Sequence, residues 1–280
     1  MYRKVFANKM FERKVVLITG GCAGIGRALA QRFAQAGARL VILDLEQEAL
    51  DSLVQHLSSH HNVEALGMCC DIADAERVEQ CVNQAIEQFG GIDVLINNAG
   101  VTHRSLFAHT TREVFKRVMA INYFGAVHCT QAALPSLIER HGQIIVMSSL
   151  SGFSPLLYRS AYNASKHALH GLFETLRCEL QGSGVGVMLV CPGFTATDLR
   201  KNALIGDASI SAQPPLSMGK VASPQEVAEA IYRAAIKRKR LLVMSNVDWR
   251  ARLLARYFPR LFEKVLLPRM SGVRRNASGS

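Results

Sequence analysis

Seven short runs of mostly aliphatic residues punctuate the chain: "KVVLIT", "RLVILD", "VEALGMCC", "IDVLINN", "GQIIVMSS", "GVGVMLVCP" and "RLLVMS". Amphipathic stretches of helical length separate them. The runs are nearly continuous instead of alternating apolar with polar, so both faces of each strand need cover, the condition of a parallel sheet built from βαβ units. The prediction is an α/β fold: a Rossmann-type doubly wound sandwich with about seven parallel strands. One dinucleotide-binding domain is expected over residues 1–247, followed by a basic, amphipathic, helical extension over 248–280. Residues 198–223, "DLRKNALIGDASISAQPPLSMGKVAS", escape the alternation and read either as a substrate loop of that domain or as a surface insertion.

With 280 residues, 49 % of them hydrophobic and 20 % charged, the chain can bury a full core, which excludes disordered and fibrous classes. Seven cysteines, an odd number without CxxC spacing, favour reduced, buried thiols and a cytoplasmic setting over disulfides or zinc. The histidines, including His103, His128, His167 and His170, lack ligand spacing and are expected at the surface or locally hydrogen-bonded; no metal is assigned. The basic N-terminus lacks a secretory apolar core, and no run is long enough to span a bilayer. The net charge of +11 is not spread out: residues 233–275 hold 13 Lys/Arg against Asp248 and Glu263, and the preceding 232 residues balance. A nucleic-acid-binding surface is therefore not expected, and an anionic partner belongs at the C-terminal end.

The first strand runs into "TGGCAGIG", which places Gly20, Gly24 and Gly26 in a strand-to-helix turn. Glycines there allow a tight turn, close approach of a pyrophosphate and a helix packed hard on the sheet, while the helix N-terminus offers free N–H groups. Asp44 ends the second strand 18 residues after Gly26, near the offset of about 20 at which an acid accepts ribose hydroxyls. A carboxylate repels a 2′-phosphate, and the positions that would carry a basic partner hold Ala23 and Leu45, with Arg27 the one exception, expected to point along the helix, so NAD is favoured, with NADP as the alternative. Asp44 as a mere cap of the turn is the competing reading.

In "RSAYNASKHAL", Tyr162 and Lys166 stand i, i+4 and share a helix face. An ammonium beside a tyrosine stabilises the phenolate, which suits proton exchange with an alcohol or ketone. The same spacing also fits a solvated helix face. Together with "CDI", "NNAG", "INYFG", "SSLSG" and "PGFTAT", in that order, these pieces resemble the short-chain dehydrogenase/reductase family across roughly residues 12–245, apart from its extended, epimerase-like members. "RSAYNASKHA", "NALIGDASI" and the basic tail are similar to its hydroxysteroid and acyl-dihydroxyacetone-phosphate reductase branch.

The resemblance implies a catalytic set of Asn122, Ser149, Tyr162 and Lys166, with Ser149 standing 13 residues before Tyr162. Tyr162 would transfer the proton, Lys166 lower its pKa and bind the nicotinamide ribose, Ser149 hold the substrate oxygen, and Asn122 hold a water. It further implies that Gly20, Gly24, Ile25 and Gly26 meet the pyrophosphate, Asp71 and Ile72 the adenine, and Asn98 and Gly100 the ribose region, with Thr195 and Thr197 at the pyrophosphate and carboxamide end. Homodimers or homotetramers are implied as well.

Candidate substrate walls are Val101–Phe107, Leu150–Tyr158 and the 198–223 loop. Being largely apolar, they point to a small hydrophobic substrate, a lipid- or steroid-like secondary alcohol or ketone. The tail repeats Arg252, Arg256, Arg260 and Lys264 beside Leu253, Leu254, Tyr257, Phe258, Leu261 and Phe262, with Pro259 dividing it. Such a segment either lies peripherally on an anionic membrane or packs its apolar stripe on the protein itself or a second subunit. The functional expectation is an NAD(H)-dependent oxidoreductase. The alternative is a non-catalytic NAD(H)-sensing scaffold.

Overall fold

Each apolar run becomes a strand in the computed structural model, which describes residues 10–193, 195–196, 203–209, 221–244 and 253–266. Thr197 and most of the 198–223 loop lie outside the described residues. The strands are β1 (Val15–Thr19), β2 (Arg39–Asp44), β3 (Ala65–Cys69), β4 (Val94–Asn97), β5 (Gln143–Met147), β6 (Gly186–Cys191) and β7 (Leu241–Val243). All neighbours pair parallel, in the order β3-β2-β1-β4-β5-β6-β7. Winding runs outward from β1 to β3 and then restarts on the other side of β1 at β4. Ligands of such sheets bind at this reversal, beyond the carboxyl ends of the strands.

The helices are α1 (Gly24–Ala34), α2 (Gln47–His61), α3 (Ala75–Phe89), α4 (Arg112–Met119), α5 (Gly125–Glu139), α6 (Ser160–Glu179) and α7 (Pro224–Ile236). Strand side chains alternate between two cores because successive Cβ atoms point to opposite faces. Val16, Ile18, Leu40 and Ile42 pack toward α1, α2 and α7, where Phe11, Phe33 and Tyr232 stack with centroids 5.0–5.4 Å apart. Leu17, Val41, Leu43 and Leu95 pack toward α3, α5 and α6. Between α4 and α5 the helix widens into a π turn, Ala120–Phe124, which carries Asn122.

Two expectations need correction. All seven thiols are free and Cys70, Cys81, Cys129 and Cys191 are buried, but Cys69 and Cys178, at the ends of β3 and α6, are exposed, and Cys22, in the turn after β1, is half-buried. His103 is neither at the surface nor locally bonded: it is fully buried, and neither ring nitrogen has a hydrogen-bond partner. Burial, with Arg159 beside it, holds that ring neutral by pushing its pKa down to about 4. In the tail, residues 253–257 are helical, and Pro259 opens a second helical piece that continues through Phe262–Leu266. Proline is tolerated at a helix start because its missing N–H would have no partner there anyway.

Candidate active site

The turn after β1 is built to leave donors free. Gly20 and Gly24 adopt φ of +63° and +51°, and a Cβ on Gly26 would lie 2.0 Å from the Gly20 carbonyl oxygen. Ala23 caps α1 with no side-chain acceptor and no acid occupies the first helical turn. The N–H groups there and the positive end of the helix dipole therefore face a phosphate without competition, so the turn fits a dinucleotide's pyrophosphate. Asn98 locks this turn: its Nδ2 donates to the Thr19 and Gly20 carbonyls, each at 2.9 Å, while Thr19 Oγ1 accepts from the Asn98 and Ala99 N–H groups at 3.0 Å.

Asp44 reaches the same turn from β2. Its Oδ2 accepts from the Cys22 N–H and its Oδ1 from the Leu45 N–H, both at 2.8 Å. The carboxylate thus fastens the turn, and its remaining lone pairs are what a ribose can use. Burial and the adjoining Asp44 push the Cys22 thiol up to about 12. The two residues assigned to adenine part company. Asp71 is exposed and accepts from Ala73 N–H, whereas the Ile72 side chain packs in the core against Gly125 and its carbonyl bonds His128 Nδ1 at 3.0 Å.

Helix α6 starts at Ser160, which puts Tyr162 in its first turn and Lys166 one turn further, both buried. Lys166 Nζ donates to the Met147 carbonyl at 2.8 Å and stands 5.6 Å from the Tyr162 ring centroid. Desolvation lowers Lys166 to about 8, and nearby Cys191 opposes the fall. For Tyr162 the outcome differs from the spacing argument: burial raises the phenol above its ordinary value, and the groups pulling it down are Ser149, by a hydrogen bond, and the Arg159 guanidinium. The i, i+4 spacing establishes a shared face but not where the ammonium points, and here a strand carbonyl holds it.

Ser149 leaves β5 in extended conformation and opens the short 3-10 turn Leu150–Gly152, with its Oγ accepting from Ser151 N–H at 3.2 Å. Asn122 spends its side chain on the Val101 main chain, at 2.8 and 2.9 Å, and on Ser165 Oγ at 2.9 Å. Both Nδ2 hydrogens are thereby used, and this amide offers a water only the second lone pair of Oδ1. Gly100 is needed for close approach, since a Cβ there would come within 3.0 Å of Asn122 Oδ1 and 3.7 Å of Lys166 Nζ.

These parts converge on one cavity, lined among others by Ile25, Asn98, Gly100, Thr102, Ser149, Leu156, Tyr162, Lys166, Gly193 and Thr195. Gly20, Gly24, Gly26 and Asp44 form the turn beside it. Of the expected apolar walls, Leu156 lines it, whereas Phe107 and Leu157 are exposed.

Several residues here were not assigned to the site from the sequence. Arg159 lines the cavity and donates to Thr102 Oγ1 and, at 3.4 Å, to the His103 carbonyl. Its i, i+3 relation to Tyr162 was the available clue. Ser148 also lines the cavity, with its buried hydroxyl unpartnered. Behind Tyr162 and Lys166, His170 Nε2 lies 3.7 Å from Cys191 Sγ, and His170 Nδ1 lies 3.4 Å from Glu174 Oε1. No group of side chains able to hold a metal is found among the described residues.

Comparison with known proteins agrees with this geometry. A family model, short chain dehydrogenase, matches residues 14–206. Dehydrogenase/reductase SDR family member 7B of Xenopus tropicalis is 37 % identical over 269 residues, covering 94 % of this chain and 87 % of its own. Its counterpart in Bos taurus is 38 % identical over 238 residues, covering 83 % and 73 %. Among solved structures, a short chain dehydrogenase/reductase from Burkholderia phymatum in complex with NAD superimposes with a TM-score of 0.80 at 28 % identity, covering 90 % of this chain and 95 % of the other. An alcohol dehydrogenase from the archaeon Thermococcus sibiricus complexed with 5-hydroxy-NADP gives 0.73 at 26 % identity, covering 84 % and 97 %.

Proposed function

This chain belongs to the short chain dehydrogenase family, and from that premise we propose that it is an NAD(H)-dependent oxidoreductase interconverting a hydrophobic secondary alcohol and its ketone. The observation that carries the reading is the meeting of Ser149, Tyr162 and Lys166 at one cavity, beside a glycine turn fastened by Asp44. A bound nicotinamide would supply or accept the hydride. The Tyr162 hydroxyl, neutral and hydrogen-bonded to Ser149, is placed to give its proton to a carbonyl oxygen or take one from an alcohol. Ser149 steadies that oxygen as charge develops on it. Lys166 remains an ammonium at neutral pH, since about 8 lies above it, and from its place on the Met147 carbonyl it would bind the nicotinamide ribose, while Ser149 and Arg159 draw the phenol down.

NAD is favoured over NADP because a carboxylate at Asp44, at the end of β2 beside the glycine turn, would repel a 2′-phosphate, and Ala23 and Leu45 carry no charge to offset it. The similar structures carry one cofactor of each kind, so this preference rests on Asp44. The apolar side chains of Ile25, Met147, Leu156 and Pro192 in the cavity lining support a hydrophobic substrate body.

The test is a paired NAD and NADP turnover screen against aliphatic, steroid and lipid alcohols and ketones, run with Tyr162→Phe alongside. Full turnover in Tyr162→Phe would defeat the proton-transfer assignment, and a strong NADP preference would defeat the Asp44 argument. Dinucleotide binding without turnover on any carbonyl would favour the sensing scaffold.

A further inference from the structure

Exposed apolar side chains and excess positive charge coincide in one segment. Residues 233–275 carry the whole net charge, 13 Lys/Arg against two acids. Within them, the helical pieces over 253–266 bury Phe262 yet leave Tyr257 66 % and Phe258 63 % exposed, with Leu253 and Leu261 exposed beside them. Arg256, Arg260 and Lys264, also exposed, recur at i, i+4 through the same stretch, with Glu263 the one acid among them. A helix that merely faces water does not need four large apolar side chains on its surface, and a helix that serves the core would bury them.

The charge selects among partners. A second copy of this chain, meeting the segment in an isologous contact, would set arginine against arginine. A nucleic acid would satisfy the arginines, and unpaired bases could stack on Tyr257 and Phe258, but Leu253 and Leu261 would be left without a partner. An anionic bilayer takes both, aromatic and aliphatic side chains entering at headgroup depth while arginine and lysine meet lipid charge. No helix among the described residues is long and apolar enough to cross a membrane, so contact would be made at the surface.

We propose that residues 253–266 dock the protein on anionic lipid, with Leu253, Tyr257, Phe258 and Leu261 entering the interface and Arg256, Arg260 and Lys264 binding headgroups. The assignment is independent of the reaction proposed above.

The experiment is co-sedimentation of the full chain with phosphatidylcholine vesicles, with and without phosphatidylserine, at low and high salt. Binding is expected only with phosphatidylserine and is expected to fall with salt. Arg256→Gln with Arg260→Gln should weaken it about 30-fold, equal to about 2 kcal/mol at tenfold per 1.4 kcal/mol, or about one headgroup-level charge contact per arginine. Tyr257→Ser with Phe258→Ser and Leu261→Ser should abolish it, while the thermal transition and dinucleotide binding stay as in the unaltered protein. Binding to neither vesicle, or to both equally, overturns the proposal. So does self-association that the serine variant removes, or retention by duplex DNA in place of vesicles. Should the variants fail to fold, the lipid and salt dependence of the unaltered protein decides.

Discussion

Replacing Lys166 with methionine should stabilise the ligand-free protein at neutral pH while abolishing its turnover. Lys166 is 4 % exposed, and loss of hydration depresses its pKa from 10.5 to about 8. A shift of that size corresponds to roughly 3 kcal/mol carried by the folded state whenever the amine is charged in both states. The sign follows from proton counting. Between about 8 and 10.5 the unfolded chain holds the proton and the folded chain does not, so stability rises with pH across this window; below about 8 the full penalty stands. Methionine keeps the length of the stem and removes the charge, but leaves the Met147 carbonyl without its 2.8 Å partner, at a cost of about 1 to 2 kcal/mol. The variant should thus gain about 1 to 2 kcal/mol near neutral pH. Urea denaturation of both proteins would measure it: from about pH 7 to about pH 9.5 the unaltered protein should gain about 2 kcal/mol more than the variant. Equal slopes against pH in the two proteins would refute the claim that Lys166 is held charged at the expense of stability.

Asp44→Asn keeps an acceptor for the Cys22 N–H and removes the charge, so the ratio of kcat/KM for NAD over NADP should fall at least about fivefold, given a repulsion of about 1 to 4 kcal/mol at contact distance. Gly26→Ala drives a Cβ to 2.0 Å from the Gly20 oxygen, which backbone cannot absorb in place; denaturation should show a loss of about 1 to 3 kcal/mol, and a fluorescence titration should show dinucleotide binding lost.

What was legible in the chain was legible because it is local. Continuous apolar runs mark strands covered on both faces, and the burial of all of β1 and β5 is the structural counterpart of that pattern. The glycine turn and the tyrosine–lysine spacing are readable for the same reason, each lying within a few residues of chain. The Tyr162 phenol shows where this stops. Its pKa is set by burial, by Ser149 from the end of β5 and by Arg159 at the mouth of α6, and no spacing rule reports the balance between them. His170 and Cys191 meet because α6 lies over β6, 21 residues away along the chain. Asp44 was legible as a position, but its hold on the Cys22 N–H depends on how closely β2 is registered against β1.

That register matters because the glycine turn and the Tyr162–Lys166 pair are one mechanical unit. Thr19 ends β1 and Asn97 ends β4, neighbouring strands at the reversal of the sheet. From that edge the four residues that follow serve both halves. Asn98 ties the Thr19 and Gly20 carbonyls, Gly100 lets Asn122 and Lys166 approach, and Val101 engages both ends of the Asn122 amide. A displacement of this segment by a few tenths of an ångström would loosen the turn that suits a pyrophosphate and shift the helix side that carries Lys166. The cavity between them can then keep its side chains in place only while β1 and β4 stay paired, because the segment that joins its two halves hangs from the ends of these two central strands.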